Sequence, residues 1–181
     1  MRVPAGWWSP VGRKLTRSGG CMGREAPVRL GLRVSDVSEA AALYRGLGFQ
    51  QVGSVPGPDG HMVMAILRRG DLQLLVDALT GLPFPDSERE RQTKKGPRGL
   101  GVVVGLEVDD MDAVARYCRS AGCQVTMDPV DAPWGERYCE CVDPYGYCWK
   151  FFRLLPEQNS DGLDAAHDSW FGPADERNVP D

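Results

Sequence analysis
Two stretches of the chain carry the same hydrophobic rhythm. VRLGLRVSDVSEAAALYRGLGFQQV starts at Val28, and VVVGLEVDDMDAVARYCRSAGCQVT starts at Val102. Val34 aligns with Val108, Asp36 with Asp110, Arg45 with Arg119 and Gly48 with Gly122, each at a spacing of 74 residues. Each copy opens on an apolar stretch of strand type. It then reaches a hydroxyl or acidic pair, Ser35/Asp36 or Asp109/Asp110, whose side chains can accept from the free N–H groups at a helix start. Apolar residues then recur at helical spacing: Val37, Ala41, Tyr44 and Leu47, and Met111, Val114, Cys118 and Ala121. Gly48 and Gly122 stand where a left-handed residue ends a helix. A strand follows in each copy, FQQVGSV and CQVTMD.

The later halves match at a spacing of 76 residues. HMVMAILRRGDLQLLVDAL predicts two strands around Arg69-Gly70, and ERYCECVDPYGYCWKFF predicts two strands around Asp143-Pro144-Tyr145-Gly146. The expected fold is α+β: two paired β-α-β-β-β modules forming curved, cup-shaped sheets with a helix on the outer face of each. Module one covers 28–80 and module two 100–155, together one domain over 28–155. Residues 81–99 (GLPFPDSERERQTKKGPRG) are expected as a charged, solvated linker.

Charge marks what flanks this unit. Residues 1–27 hold five basic side chains against Glu25, and residues 156–181 hold seven acidic ones against Arg177. The first segment is read as a flexible basic arm, as a start upstream of Met22, or as a transit segment, though it lacks an amphipathic pattern. The second is read as a disordered acidic tail with Trp170 and Phe171 as its large anchors. The chain's net charge of -4 argues against a nucleic-acid partner. No apolar run approaches the roughly 18 residues of a membrane span. Six cysteines among 181 residues, with no secretory pattern before them, point to a reducing cytoplasm.

Three stretches resemble one family: RVSDVSEAAALYRGLGF, ILRRGDLQLL and PWGERYCECVDPYGYCWKF. Duplicated modules of this order are similar to the vicinal oxygen chelate superfamily of glyoxalases, bleomycin-resistance proteins and dioxygenases, and most like its bleomycin-resistance branch. The resemblance implies metal ligands at four positions, two on the first strands and two on the last, pointing into the cup. Here these positions are Arg29, Val103, Leu74 and Lys150. None offers the carboxylate, imidazole or thiolate that a divalent ion needs. The expectation is no metal, no cofactor and a homodimer.

Strand parity then assigns the cup. Arg29, Gly31 and Arg33 face inward, as do Val103, Gly105 and Glu107. His61, Val63, Ala65, Leu67, Leu72 and Leu74 are expected inward, with Met62, Met64 and Ile66 toward the helix. In module two Cys139, Cys141, Cys148, Lys150 and Phe152 are expected inward, with Tyr147, Trp149 and Phe151 beneath the helix. The first cup is thus expected apolar and the second thiol-rich. Ligand walls are assigned to Trp134, Val63, Leu67 and Phe152, and orienting groups to Glu107, Lys150, Arg29 and His61. Lys150 is a ligand anchor or the ion-pair partner of Glu107 or a neighbour. Cys139, Cys141 and Cys148 are a thiolate cluster or packed thiols, and Tyr44 is core. The function expected is metal-independent binding of a flat apolar or aromatic compound, such as an antibiotic. The alternatives are a metal-dependent lyase or dioxygenase, a metal-free enzyme using Lys150 or His61, and a structural or regulatory module with a filled cup.

Overall fold
A computed structural model describes residues 28–155. The expectations for the basic arm, the acidic tail and the start residue lie outside those residues. Two β-α-β-β-β units follow in order. The first is β1 (Val28–Val34), α1 (Val37–Gly46), β2 (Gln50–Pro56), β3 (Met62–Arg69) and β4 (Leu72–Ala78). Next comes α2 (Ser87–Lys95), then β5 (Val103–Glu107), α3 (Met111–Ser120), β6 (Gln124–Asp131), β7 (Glu136–Val142) and β8 (Cys148–Leu154). The sheets run β1-β4-β3-β2 and β5-β8-β7-β6, each with one parallel pair and two antiparallel pairs. Among the described residues no helix is long and apolar enough to cross a membrane.

The helices begin and end where their sequence says. Asp36 accepts from the Glu39 N–H at 2.9 Å and Asp110 from the Ala113 N–H at 2.8 Å. Gly48 and Gly122 hold φ of +89° and +79°. The linker differs from the expectation: SERERQTKK forms α2, capped by Asp86. No α2 side chain is buried, and the Glu88–Arg91 and Glu90–Lys94 pairs lie along it at helical spacing. A segment polar all round is helical here through its own caps and charge pairs.

One core joins the modules. It holds the helix-facing residues of both sheets, with Tyr44, Trp149 and Phe151 its largest members. At its centre lies Asp143, 4% exposed, in the β7–β8 turn. Its Oδ2 accepts from the Tyr44 hydroxyl at 2.8 Å and the Trp149 indole N–H at 2.9 Å. Its Oδ1 accepts from the Tyr145 and Tyr147 N–H groups. Tyr44 comes from module one, so one carboxylate ties both halves together. Burial, and then Asp143, push the Tyr44 hydroxyl far above its ordinary pKa.

Two registers differ from the sequence expectation. In the first hairpin Arg69 pairs Leu72 across Gly70 and Asp71, so Leu67 faces Leu74 rather than Leu72. Ala65, Leu67, Leu74 and Val76 are fully buried in the core shared with α1, not on the cup. Leu72 packs against that core too. Met64 and Ile66, expected beneath the helix, pair with Asp77 and Leu75 on the opposite face. In the second hairpin Val142 pairs Cys148 around a five-residue turn, which shifts β7 by one residue. Cys139 and Cys141 therefore lie with Phe151 and Trp149 in the core. The one-residue slip of β7 moves its side chains to the other face, whereas β3 and β4 change faces together because Leu74 pairs Leu30 and Leu75 pairs Gly31.

Candidate functional site
The cup face of module two follows from these pairings. Gly105, Lys150 and Glu140 stand in one row, and Glu107, Phe152 and Tyr138 in the next. Gly105 has no side chain, and the Phe152 ring lies 3.4 Å from where a Cβ would stand. Trp134 enters from the β6–β7 turn, where Gly135 takes φ +89° and its N–H reaches the Ala132 carbonyl. That turn places the Trp134 ring 5.7 Å from Tyr138, tilted by 31°.

Charge is concentrated beside this aromatic pair. Glu136 Oε2 accepts from Lys150 Nζ at 2.7 Å and from the Trp134 indole N–H at 3.0 Å. The same ammonium lies 4.6 Å from the Tyr138 ring centre and 5.6 Å from that of Trp134. The Lys150 and Glu136 side chains retain 25% and 22% of their exposure, so the pair is neither free in solvent nor sealed. Hydrogen bonds from Lys150 and then Trp134 hold the Glu136 carboxyl below the usual carboxylate range. The arrangement can bind a ring against Trp134 and Tyr138 while a fixed charge pair orients it.

The structure brings together three of the eight residues that sequence assigned to a site: Trp134, Lys150 and, one row away, Phe152. Glu107 shares the face, but it is exposed, and of the two ion-pair partners expected for Lys150, Glu107 or a neighbour, the structure shows the neighbour, Glu136. Arg29 is exposed at the start of β1 on the other module. His61 and Val63 line a different hollow of about 410 Å³, at the N-terminus of α1 with Asp36, Asp59 and Thr80. Leu67 is sealed in the core and cannot wall a ligand. Sequence reasoning missed Glu136 and Tyr138. Their signal was there: Glu136, Tyr138 and Glu140 alternate with Cys139 and Cys141 at period two, the polar set facing away from the thiols.

The first cup is not the apolar hollow expected. Its face carries Arg33, Asp77, Gln73 and Arg68 beside Leu75, Met64 and Ile66. The Arg33 guanidinium is spent on the Ala78 and Pro83 carbonyls and lies 4.5 Å from the centre of the Phe84 ring. Asp77, also missed, buries an oxygen that has no hydrogen-bond partner among the described residues. Burial raises its pKa against the pull of Arg33.

A metal in the cup would have to use the positions expected of it. Gly31 pairs Leu75 as Gly105 pairs Lys150, so the fourth position is Leu75 and not the buried Leu74. Arg29, Leu75, Val103 and Lys150 present two cations and two hydrocarbons. This donor set does not fit a divalent ion.

A family model for the Glyoxalase/Bleomycin resistance protein/Dioxygenase superfamily matches residues 26–151, spanning both modules. The chain belongs to that superfamily. Uncharacterized protein Mb0911c of Mycobacterium bovis is 32% identical over 140 residues, covering 76% of this chain and 90% of its own. Uncharacterized protein Rv0887c of Mycobacterium tuberculosis has the same identity over the same length, 80% of its own. Among solved structures, TioX from Micromonospora sp. ML1 is 27% identical with a TM-score of 0.54, covering 74% of this chain and all of TioX. A superfamily enzyme from Burkholderia phytofirmans PsJN superposes with the same TM-score at 17% identity, over 70% of this chain and 97% of its own. That likeness is one of fold.

Proposed function
We propose that this superfamily member binds a flat, largely aromatic small molecule on the cup face of module two, without a metal, and holds it rather than converting it. The observation that carries this reading is the Trp134–Tyr138 ring pair with the Lys150–Glu136 ion pair set against it. Rings supply apolar contact, and a partly desolvated charge pair gives orientation. No hydroxyl or thiol on this face hydrogen-bonds a base among the described residues, and the one amine, Lys150, is held in an ion pair with Glu136, which favours binding over turnover. The action is sequestration, with an antibiotic of the bleomycin type as one ligand class.

The reading includes a two-fold homodimer in the cytoplasm. The cup faces lie open in a single chain, and Val28, Val103 and Leu154 at strand ends are more than half exposed. The five described cysteines are unpaired thiols, in keeping with a reducing compartment.

Titrating a panel of flat aromatic compounds, bleomycin among them, against tryptophan fluorescence tests the binding. Trp134→Phe is expected to remove most of the quench and to weaken binding by about 1–2 kcal/mol, the scale of one aromatic contact with its burial. A panel without a single binder, or one whose affinities ignore both Trp134→Phe and Lys150→Met, defeats the proposal. Light scattering at tens of micromolar, on the order of typical working concentrations, is expected to report a dimer.

A further inference from the structure
Three thiols converge on the far side of the second sheet from the cup. Cys118 lies in the last turn of α3, Cys123 just after it and Cys141 on β7. Their sulfur atoms all lie within 4.8 Å of one another, with those of Cys118 and Cys141 3.7 Å apart. Their exposures are 1%, 8% and 2%. We propose that Cys118, Cys123 and Cys141 form a site for a soft, thiophilic metal ion of low coordination number, and that monovalent copper is the ion it suits.

Local structure builds the triangle. Gly122, at φ +79°, turns the chain so that the Cys123 N–H reaches the Cys118 carbonyl at 2.9 Å. Cys123 is thereby folded back against its own helix. The β7–β8 register sets Cys141 beside Trp149, on the helix side. Helix, helix cap and strand are all rigid elements, so the donors are held in place before any ion arrives. An ion at the centre of a triangle stands at the side length divided by √3 from each corner. Sides of 3.7 to 4.8 Å give about 2.1–2.8 Å, a range that holds the ordinary metal–thiolate bond of about 2.3 Å.

The donors choose the ion. Soft thiolates select monovalent copper or zinc over hard cations. Structural zinc closes a tetrahedron of four ligands. Here three donors converge among the described residues, all three of them buried. Three sulfurs without a fourth ligand suit copper(I). Binding a metal to thiols releases their protons. Copper(I) bonds to the three sulfurs as thiolates, their protons leave to solvent, and no electron is transferred.

The experiment uses the full chain, reduced and without oxygen. Copper(I) is titrated in competition with bathocuproine disulfonate, and zinc(II) is titrated in parallel. One copper per chain is expected, with near-ultraviolet thiolate absorption and the luminescence of a solvent-shielded copper–thiolate centre. Changes outside the ligand shell already cost about 10–100-fold in metal affinity, so Cys118→Ser, Cys123→Ser and Cys141→Ser are each expected to cost about 100-fold or more. Cys21→Ser, Cys139→Ser and Cys148→Ser are expected to keep full affinity. X-ray absorption on the unsubstituted protein needs no folded variant; it is expected to show three sulfur neighbours at about 2.3 Å. The proposal falls if copper binds no tighter than to the urea-unfolded chain, if the three substitutions leave affinity unchanged, or if Cys21→Ser abolishes it. It falls equally if zinc binds as tightly in a four-ligand shell, or if absorption shows nitrogen or oxygen ligands.

Discussion

Removing the Asp143 carboxylate tests whether the two modules are coupled as the structure indicates. Asp143→Ala strands four donors: the Tyr44 hydroxyl, the Trp149 indole N–H and the N–H groups of Tyr145 and Tyr147. The two side chains cannot turn to water, because Tyr44 is fully buried and Trp149 is 1% exposed. A hydrogen bond to a charged group contributes about 1.5–3 kcal/mol, and a buried donor left unpaired costs about 1–3 kcal/mol. These figures overlap rather than add, so the expected loss is about 3–5 kcal/mol, the range for breaking a buried charged contact. At about 2–4 °C per kcal/mol for a chain of this size, Tm drops by about 6–20 °C. Urea unfolding followed by circular dichroism measures the free energy directly. Tyr44→Phe removes a single donor and is expected to cost about 1–2 kcal/mol. Combined with Asp143→Asn in a double-mutant cycle, it is expected to show a coupling of about 1 kcal/mol or more. A loss below about 1 kcal/mol for Asp143→Ala, or a cycle with no coupling, refutes the claim that this carboxylate joins the halves.

Three further outcomes follow from named contacts. Gly46→Ala gains helix propensity of about 0.8–1 kcal/mol, yet its methyl overlaps the Tyr117 ring where α1 meets α3. The variant is expected to lower the urea midpoint alone and to raise it in a Tyr117→Ala background; stabilisation in the single variant contradicts the close approach. Leu67→Ala is expected to cost about 2–5 kcal/mol in stability as a sealed core position, while ligand affinity measured well below Tm stays unchanged; a selective loss of affinity returns Leu67 to the cup. Glu136 has a folded pKa below its unfolded value, so its contribution is fully present above about pH 4.3 and fades as pH falls through the folded value. Carboxyl NMR is expected to follow Glu136 titrating below the usual carboxylate range, and Lys150→Met to raise it.

Much of the architecture was legible because the determinants are local. Asp36 and Asp110 cap their helices, and Gly48 and Gly122 end them, from chemistry within four residues of each. Parity on β1 and β5 was also legible, since Leu32, Val34, Val104 and Leu106 alternate cleanly with Arg33 and Gly105. The faces of β3, β4 and β7 were not. The face of β7 depends on turn length, five residues rather than six, and those of β3 and β4 on the β1–β4 pairing, which sets Leu74 beside Leu30 rather than beside an inward residue. In Leu67 and Leu74 both faces offered apolar residues, so hydrophobicity could not arbitrate. In β7 the cysteines passed for cup residues because parity was counted from a Cys141–Cys148 pair, whereas Val142 closes the turn with Cys148. The helical linker escaped because its stability lies in capping and charge pairs rather than in an apolar stripe.

The β7–β8 turn settles more than the strand pairing. The Asp143 N–H reaches the Tyr147 carbonyl at 2.9 Å, and the Gly146 N–H reaches the Asp143 carbonyl at 3.0 Å, with Gly146 at φ +91°. Five residues then separate the closing pair of Val142 and Cys148. This spacing sends Glu136, Tyr138 and Glu140 to the cup with Lys150, and Cys139 and Cys141 to the core with Trp149. One residue fewer would exchange the sets, placing carboxylates against Trp149 and thiols beside Lys150. The core penalises that exchange heavily, since unpaired buried carboxylates are among the costliest groups to bury. Asp143 thus acts twice: its backbone fixes the register that assembles the aromatic and charged cup, and its carboxylate locks that hairpin to Tyr44 of the other module. The chemistry of the cup and the cohesion of the two modules therefore rest on the same turn.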